Sequence, residues 1–208
     1  MKIQIKICGM KFPENTTEIA ALQPDYLGFI FYAKSPRYVT DQLPKINAKI
    51  KKVGVFVNAE FFEIMQKAKE YQLDFIQLHG EETPELCQKI QSNSLKVIKA
   101  FNLSNTFNFN ILNNYFDSCS HFLFDTKGER YGGNGNTFDW QLLENYHLSK
   151  TYFLSGGIGI ENSNQIKEFL KNDYAKNCIA IDCNSKLEIA PGLKSIKKVK
   201  SLLKTFKN

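Results

Sequence analysis

The chain has 208 residues, of which 43% are hydrophobic and 23% are charged, and its formal net charge is +6. This length predicts a single domain over residues 1–208, and the composition excludes disordered, collagen-like and coiled-coil proteins. No apolar run approaches the roughly 18–20 residues of a membrane span, so we expect no membrane partner.

Eight short apolar segments rich in Ile, Val and Phe recur along the chain and predict β-strands. They are residues 3–8, 26–31, 52–57, 74–79, 96–101, 121–125, 151–155 and 178–182, with starts about 25 residues apart. Segments with helical periodicity lie between several of them, and capping signals at residues 15–18, 83–85 and 161–163 mark helix starts. Strands that alternate with helices predict a parallel sheet covered by helices.

Eight such units without a linker favour the α/β class, as a single-domain (β/α)8 TIM barrel of minimal size. The alternative is an open doubly wound sheet. That fold usually stops near five or six strands and carries a glycine-rich nucleotide motif after its first strand. Here the first strand is followed by Cys-Gly-Met-Lys-Phe-Pro, which matches no such motif.

The excess positive charge lies in the last 15 residues, which hold six lysines and no acidic residue. Ile196, Val199, Leu203 and Phe206 form one stripe at helical spacing and predict a docked amphipathic helix. The lysines fall largely off this stripe, so we expect them to be solvated and expect no nucleic-acid partner. The alternative is a patch that binds anions or nucleic acid.

Five scattered cysteines form no CxxC pair. The N-terminus alternates lysines with isoleucines, unlike a signal peptide, and the two features together predict reduced thiols in a cytoplasmic protein. No histidine or cysteine pair has metal-ligand spacing, and we expect neither a metal nor another cofactor.

In a barrel of this kind the reactive residues lie at the C-terminal ends of the strands. The first strand ends at Cys8, and side-chain alternation places Lys6 and Cys8 in the lumen. A lysine about 6–7 Å from the thiol predicts a stabilised thiolate. The alternative is an inert buried cysteine.

Three other strand ends carry candidate residues. Asp125 closes the sixth strand, where burial would raise the pKa of its carboxyl, unless it caps the backbone instead. Arg37, in a proline-stiffened loop, could present its guanidinium to a carboxylate or could be solvated. His79 ends the fourth strand and could be either functional or structural.

Glycines and small polar residues follow the last three strands of the predicted barrel. Barrels often hold a phosphate on backbone N–H groups of the loops after strands 7 and 8. The predicted phosphate-binding residues are Gly133, Gly135, Gly156, Gly157, Asn184 and Ser185. A phosphate site together with a thiol and a carboxyl group across the mouth predicts a cofactor-free proton transfer on a sugar phosphate.

The chain resembles the phosphoribosylanthranilate isomerases of tryptophan biosynthesis along its full length. The shared segments are KICGM at 6–10, DYLGFIF and SPR within 25–37, VGVFVN at 53–58, IQLHG at 76–80, FD at 124–125, GGNG and FDW within 132–140, LSGGI at 154–158 and APG at 190–192. The resemblance implies an enzyme with a small-molecule substrate. It would convert N-(5′-phosphoribosyl)anthranilate to 1-(2-carboxyphenylamino)-1-deoxyribulose 5-phosphate by an Amadori rearrangement.

The resemblance also implies residue roles. Asp125 would be the general acid that protonates the furanose ring oxygen, and Cys8 the general base that takes the C2′ proton. Arg37 would hold the anthranilate end of the substrate with its carboxylate, His79 would be a further substrate-binding residue, and the glycine loops would hold the phosphate. We expect a monomer or a homodimer.

One departure from the family pattern lies after the eighth strand, where this chain has Ser-Lys-Leu-Glu and the family commonly has Ser-Gly-Val-Glu. Lys186 forfeits the positive φ that a glycine allows but adds a cation near the expected phosphate.

The sequence leaves two alternative functions. One is the related aminoaldose isomerase of histidine biosynthesis, which has two half-barrel repeats that each end in an aspartate. This chain shows no such repeat, and its first strand ends in Cys8. The other is a non-catalytic phosphate-binding barrel, which the loss of Cys8 or Asp125 would have favoured.

Overall fold

The computed structural model describes residues 3–126 and 140–207. Eight parallel strands form a closed barrel in chain order, and β8 pairs with β1. They are β1 (Gln4–Ile7), β2 (Tyr26–Ile30), β3 (Lys51–Phe56), β4 (Phe75–Leu78), β5 (Lys96–Leu103), β6 (His121–Thr126), β7 (Tyr152–Leu154) and β8 (Cys178–Cys183). The predicted barrel is confirmed, and both ends of every strand lie within two residues of the predicted ends.

In the part of the chain that the structure describes, five α-helices surround the barrel: α1 (Pro13–Ala21), α2 (Phe61–Tyr71), α3 (Pro84–Gln91), α4 (Ser163–Phe169) and α5 (Ile196–Lys207). Short 3₁₀ helices cover Phe109–Tyr115, Trp140–Asn145, Asp173–Ala175 and Ser185–Leu187. A two-stranded antiparallel hairpin, β9 (Glu188–Ala190) and β10 (Leu193–Lys194), follows β8.

The connection between β2 and β3 departs from strict alternation of strand and helix. Residues 31–50, all of which the structure describes, contain no helix. Pro36 and Pro44 both restrict helix formation in this segment. Tyr38 bridges to Ile30 and Val39 is buried, so the segment covers the barrel as an extended strap.

The barrel lumen has an apolar lower part and a polar upper part. The lower part is a separate cluster of buried side chains from seven strands: Tyr26, Val53, Phe75, Ile98, Ala100, Leu123, Phe153 and Ala180. Two residues further along the strands, the alternation brings polar side chains into the lumen, and these are Lys6, Gln77, Asp125, Ser155 and Asp182. The apolar part therefore forms a floor beneath a polar layer at the mouth.

The C-terminal helix α5 docks by an apolar stripe, as expected, although the stripe differs from the predicted one. Ile196 is 39% exposed, whereas Leu202 is fully buried. The side chain of Lys207 reaches Asp25 at 2.9 Å, next to the start of β2, so α5 ends at the bottom of the barrel. Within the described ranges, none of the helices combines the length and apolar composition that a membrane crossing requires.

The expectation that the lysines of the basic tail are solvated holds for some of them. Lys197, Lys200 and Lys204 are exposed. It is wrong for Lys194, which is 1% exposed because it lies on β10, ahead of the helix, and points into the protein.

Candidate active site

A cleft that is open to solvent at its mouth lies at the C-terminal ends of the barrel strands. It brings together five of the predicted site residues: Cys8, Arg37, His79, Asp125 and Asn184. Ser185 directly follows Asn184, and Gly156 and Gly157 directly follow Ser155, which also lines the cleft. Gly133 and Gly135 lie outside the described residues.

Cys8 faces the cleft next to a buried ion pair. Lys6 and Asp182 are register partners on β1 and β8, so their side chains enter the lumen side by side. The ammonium of Lys6 lies 3.0 Å from both carboxylate oxygens of Asp182. Burial raises the pKa of the Cys8 thiol, and this outweighs the lowering by Lys6. Lys6 thus acts in the predicted direction, but burial first and the Asp182 carboxylate second leave the pKa of the thiol above its ordinary value.

His79 lies between Gln77 and Asp125. Its Nδ1 is 3.0 Å from Nε2 of Gln77, so with the amide oriented to donate, Nδ1 is the acceptor. A neutral ring then carries its proton on Nε2, which is 3.4 Å from Oδ2 of Asp125. Sequence reasoning placed His79 at the substrate, and the structure adds a direct contact with the candidate acid.

Arg37 lies at the rim of the cleft with its guanidinium fork on Glu188. Its Nε and Nη2 donate to the two carboxylate oxygens of Glu188 at 2.8 and 2.7 Å. This bidentate geometry fixes the plane of the guanidinium, and Nη1 and the second Nη2 proton remain for another acceptor. The alternative of a solvated Arg37 is wrong, since its side chain is 12% exposed.

The loop after β7 requires glycine at two positions. Gly156 and Gly157 have φ values of +96° and +65°. Asn162 holds the loop, because its Nδ2 donates to the carbonyl of Gly157 at 3.0 Å and its Oδ1 accepts from the N–H of Gly159 at 2.9 Å. Asn162 was part of a predicted capping signal, but it makes no side-chain cap of α4 and orders the loop instead.

The departure at Lys186 is accommodated without strain. Lys186 lies in the 3₁₀ turn over Ser185–Leu187, a conformation open to any residue, and its side chain is exposed. Gly159 approaches this turn so closely that a Cβ built on it would lie 3.0 Å from Cβ of Lys186. The loops after β7 and β8 are thus packed against each other.

Four residues of the site were missed by sequence reasoning as functional candidates: Gln77, Asp182, Glu188 and Lys194. The alternation that placed Lys6 in the lumen also applies to Gln77 and Asp182, so that signal was available. No local pattern pairs Glu188 with Arg37 or buries Lys194. Among the described residues, no three His, Cys, Asp or Glu side chains are grouped as metal ligands would be.

Comparison with known proteins agrees with this geometry. Residues 5–205 match the family model for N-(5′-phosphoribosyl)anthranilate (PRA) isomerase. The chain belongs to this family. A relative from Parabacteroides distasonis, N-(5′-phosphoribosyl)anthranilate isomerase, is 43% identical over 96% of this chain and 91% of its own length.

Two solved structures of phosphoribosylanthranilate isomerases share the fold over 99% of this chain and 98% of theirs. One, with a TM-score of 0.80 and 33% identity, shows monomers generated from the dimeric enzyme of Thermotoga maritima. The other, with a TM-score of 0.78 and 32% identity, is a complex with reduced 1-(o-carboxyphenylamino)-1-deoxyribulose 5-phosphate. The sequence-based predictions of an isomerase and of a role in tryptophan biosynthesis are confirmed.

Proposed function

We propose that this cleft converts N-(5′-phosphoribosyl)anthranilate to 1-(2-carboxyphenylamino)-1-deoxyribulose 5-phosphate by general acid–base catalysis. Asp125 gives its proton to the ring oxygen as the C1′–O bond breaks, which leaves an open-chain Schiff base. In the reactive form the Asp125–Cys8 pair holds one proton, which is on Asp125, so Cys8 is a thiolate. The thiolate removes the C2′ proton, and the resulting enolamine tautomerises to the ketone. The observation that carries this proposal is that Cys8 and Asp125 line one cleft above an apolar floor.

The substrate has two anionic groups, a carboxylate and a phosphate, and the cleft offers a guanidinium for one and backbone N–H groups for the other. The remaining N–H groups of Arg37 suit the anthranilate carboxylate. The backbone of the loops after β7 and β8, at Gly156, Gly157, Asn184 and Ser185, suits the phosphate. The bound molecule in the related structure, which carries both a carboxyphenyl group and a 5-phosphate, supports this arrangement.

His79 acts on the general acid Asp125 in addition to binding the substrate. With Nδ1 accepting from Gln77, the N–H is on Nε2, which lies 3.4 Å from Oδ2 of Asp125 without a hydrogen bond to it. In the proposed reaction the two side chains align as substrate binds, and the other carboxyl oxygen carries the proton towards the substrate. The N–H of His79 also stabilises the carboxylate that forms once the proton is given.

The test is the turnover of Cys8→Ala and Asp125→Asn, measured by the loss of fluorescence of freshly made phosphoribosylanthranilate. Each variant should lower kcat by at least about 100-fold, the scale of one acid–base group. Cys87→Ala is the control, since this buried thiol lies on α3, outside the cleft. Near-normal turnover of either cleft variant, with an unchanged circular dichroism spectrum, would refute the role of that residue.

The proposal includes catalysis without a metal or organic cofactor. Dialysis against a chelator should leave kcat unchanged, and a loss of activity restored by one specific metal would contradict this part of the proposal.

A cytoplasmic location fits the five buried free thiols. A monomer and a homodimer are both compatible with the site as described, and sedimentation velocity distinguishes them.

A further inference from the structure

Lys194 is a buried cation whose position the acid–base mechanism does not explain. Its side chain is fully buried, yet its ammonium lies 2.7 Å from Oε1 of Glu188 and 2.7 Å from Oδ1 of Asn184. Its backbone is held as firmly, because the Asn15 amide both accepts from its N–H and donates to its carbonyl. Burial lowers the pKa of Lys194, and the charge of Glu188 opposes this. A cation at this depth costs desolvation free energy that its partners must offset.

Glu188 links this cation to the mouth of the cleft. Its carboxylate receives two hydrogen bonds from Arg37, one from Lys194 and one from the N–H of Gly192 at 3.0 Å. Burial acts to raise the pKa of Glu188, but Arg37 and Lys194 outweigh it and lower the pKa to about 2. Glu188 is therefore ionised throughout the working pH range.

The charges of this cluster decide what Arg37 can offer a ligand. Arg37 and Glu188 alone would form a neutral pair, with the arginine charge cancelled by the carboxylate that fixes its plane. Lys194 adds a second cation behind Glu188, so the three side chains together carry one net positive charge. In a partly desolvated site such a surplus acts more strongly than it does in water.

We propose that Glu188 and Lys194 are positioning residues for the carboxylate end of the substrate. Glu188 fixes the guanidinium of Arg37, and Lys194 cancels the charge of Glu188 so that Arg37 keeps its attraction for a carboxylate. This inference rests on the proposed role of Arg37. It predicts that Lys194, which never reaches the cleft mouth itself, sets the preference for a carboxylated substrate.

A rival role for Lys194 exists, because its charge also acts on Cys8. The charged groups that act on Cys8 are Lys6 on its own strand and, from neighbouring elements, Asp182, Arg37 and Lys194. Loss of Lys194 through this route would weaken the base towards every substrate equally and would move the pH dependence of kcat. A comparison of substrates with and without a carboxylate therefore distinguishes the two roles.

The experiment compares phosphoribosylanthranilate with phosphoribosylaniline, which lacks the carboxylate. Both are made by condensing ribose 5-phosphate with the arylamine, and both products are measured by chromatography. In Lys194→Gln, kcat/KM for the carboxylated substrate should fall at least about tenfold, while kcat/KM for the aniline substrate stays within about threefold. The control is Lys197→Gln, the same change at an exposed lysine, which should alter neither value.

A double variant tests the charge argument directly. Glu188→Gln with Lys194→Gln removes one charge of each sign, so the cluster keeps the net positive charge of the parent protein, and the glutamine amide oxygen at position 188 can still accept a hydrogen bond from Arg37. The double variant should recover most of the carboxylate preference that Lys194→Gln loses. Glu188→Gln alone is the control for the lost carboxylate. If Lys194→Gln does not fold, a double variant that lacks the preference while Glu188→Gln retains it overturns the proposal.

The remaining outcomes separate this inference from the proposed function. If Arg37→Gln keeps the preference for the carboxylated substrate, the role of Arg37 itself is wrong. If Arg37→Gln loses the preference and Lys194→Gln keeps it, this inference alone is wrong. If Lys194→Gln slows both substrates equally and moves the pH profile of kcat, the lysine acts on Cys8 and the inference is again wrong.

Discussion

At the scale of single residues, Cys8 shows how burial and charge compete at one thiol. Lys6 and Lys194 both favour the thiolate, but burial dominates and the pKa rises above its ordinary value of 9.0. A base with a raised pKa is stronger once it is deprotonated but is less often deprotonated. Cys8 is thus predominantly a thiol in the resting enzyme at neutral pH.

This thiol predicts the shape of the pH profile. Proposed turnover needs one proton on the Asp125–Cys8 pair, so kcat/KM should stay level through neutral pH. The value of kcat/KM should fall only when this last proton leaves the pair, which happens above pH 9.0, the ordinary pKa of a thiol. A profile of kcat/KM from pH 6 to about 10.5 measures this, and a falling limb centred near pH 8 would contradict the buried thiol.

Gly28 on β2 determines the space available to the thiol. A Cβ at this position would lie 2.7 Å from Sγ of Cys8 and 3.0 Å from its Cα. Gly28→Ala should therefore lower the free energy of unfolding by about 1–3 kcal/mol. It should also lower kcat by about 10–100-fold, because the base is displaced.

Gly28→Ala in the Cys8→Ala background is the control for that prediction. If the substitution acts by moving the thiol, it adds no further loss of turnover once the thiol is absent. An additional loss of the same size in the double variant would show that the substitution disturbs the barrel rather than Cys8.

At the scale of elements, α5 and the hairpin before it have different tasks although they share one basic segment. The apolar face of α5 covers the barrel with Val199, Leu202, Leu203 and Phe206. Lys194 on β10 belongs instead to the cluster behind Arg37. The helix leads towards the bottom of the barrel, away from the cleft.

This division predicts separate effects of charge and packing. Replacement of Lys197, Lys200 and Lys204 by glutamine should leave kcat within about twofold and should not alter the salt dependence of kcat/KM, because exposed distant charges are screened. Leu203→Ala should lower the free energy of unfolding by about 2–5 kcal/mol. A marked loss of salt sensitivity in the triple variant would instead indicate that the tail steers the anionic substrate.

At the scale of the whole molecule, the core holds several thiols that ionise much less readily than in an unfolded chain. Burial raises the pKa of Cys87, Cys119 and Cys178 to about 12 in each case, from an ordinary value of 9.0. Above pH 9.0 the unfolded chain therefore releases protons that the folded protein retains. Stability must then fall as the pH rises, since the unfolded state binds fewer protons.

Urea unfolding between pH 8 and about 11 measures this slope. Each of the three thiols should contribute a loss of about 1.4 kcal/mol per pH unit above pH 9. Cys87→Ala should make the slope shallower by about one such contribution, whatever it does to stability at pH 8. An equal slope in this variant and in the parent protein would contradict the linkage.

The sequence by itself determined the barrel, because eight apolar segments at regular spacing can bury their backbones together in few ways. It also determined where the strands end, and therefore that Cys8, Asp125, His79 and Arg37 line the same cleft. One capping signal, at residues 83–85, acts as predicted, since Thr83 caps α3. The signal at residues 15–18 does not, because α1 begins earlier, at Pro13, and Asn15 binds Lys194 instead.

Tertiary structure alone decided the partners of the charged groups. Lys6 pairs with Asp182 and Arg37 with Glu188 across separations of 176 and 151 residues, which no periodicity encodes. Lys194 looked like part of a solvated tail because its sequence neighbours are lysines. The hairpin turns its side chain inward to Glu188. A strand pattern determines which way a side chain points, but the free energy of a buried charge depends on which charges the closed barrel brings beside it.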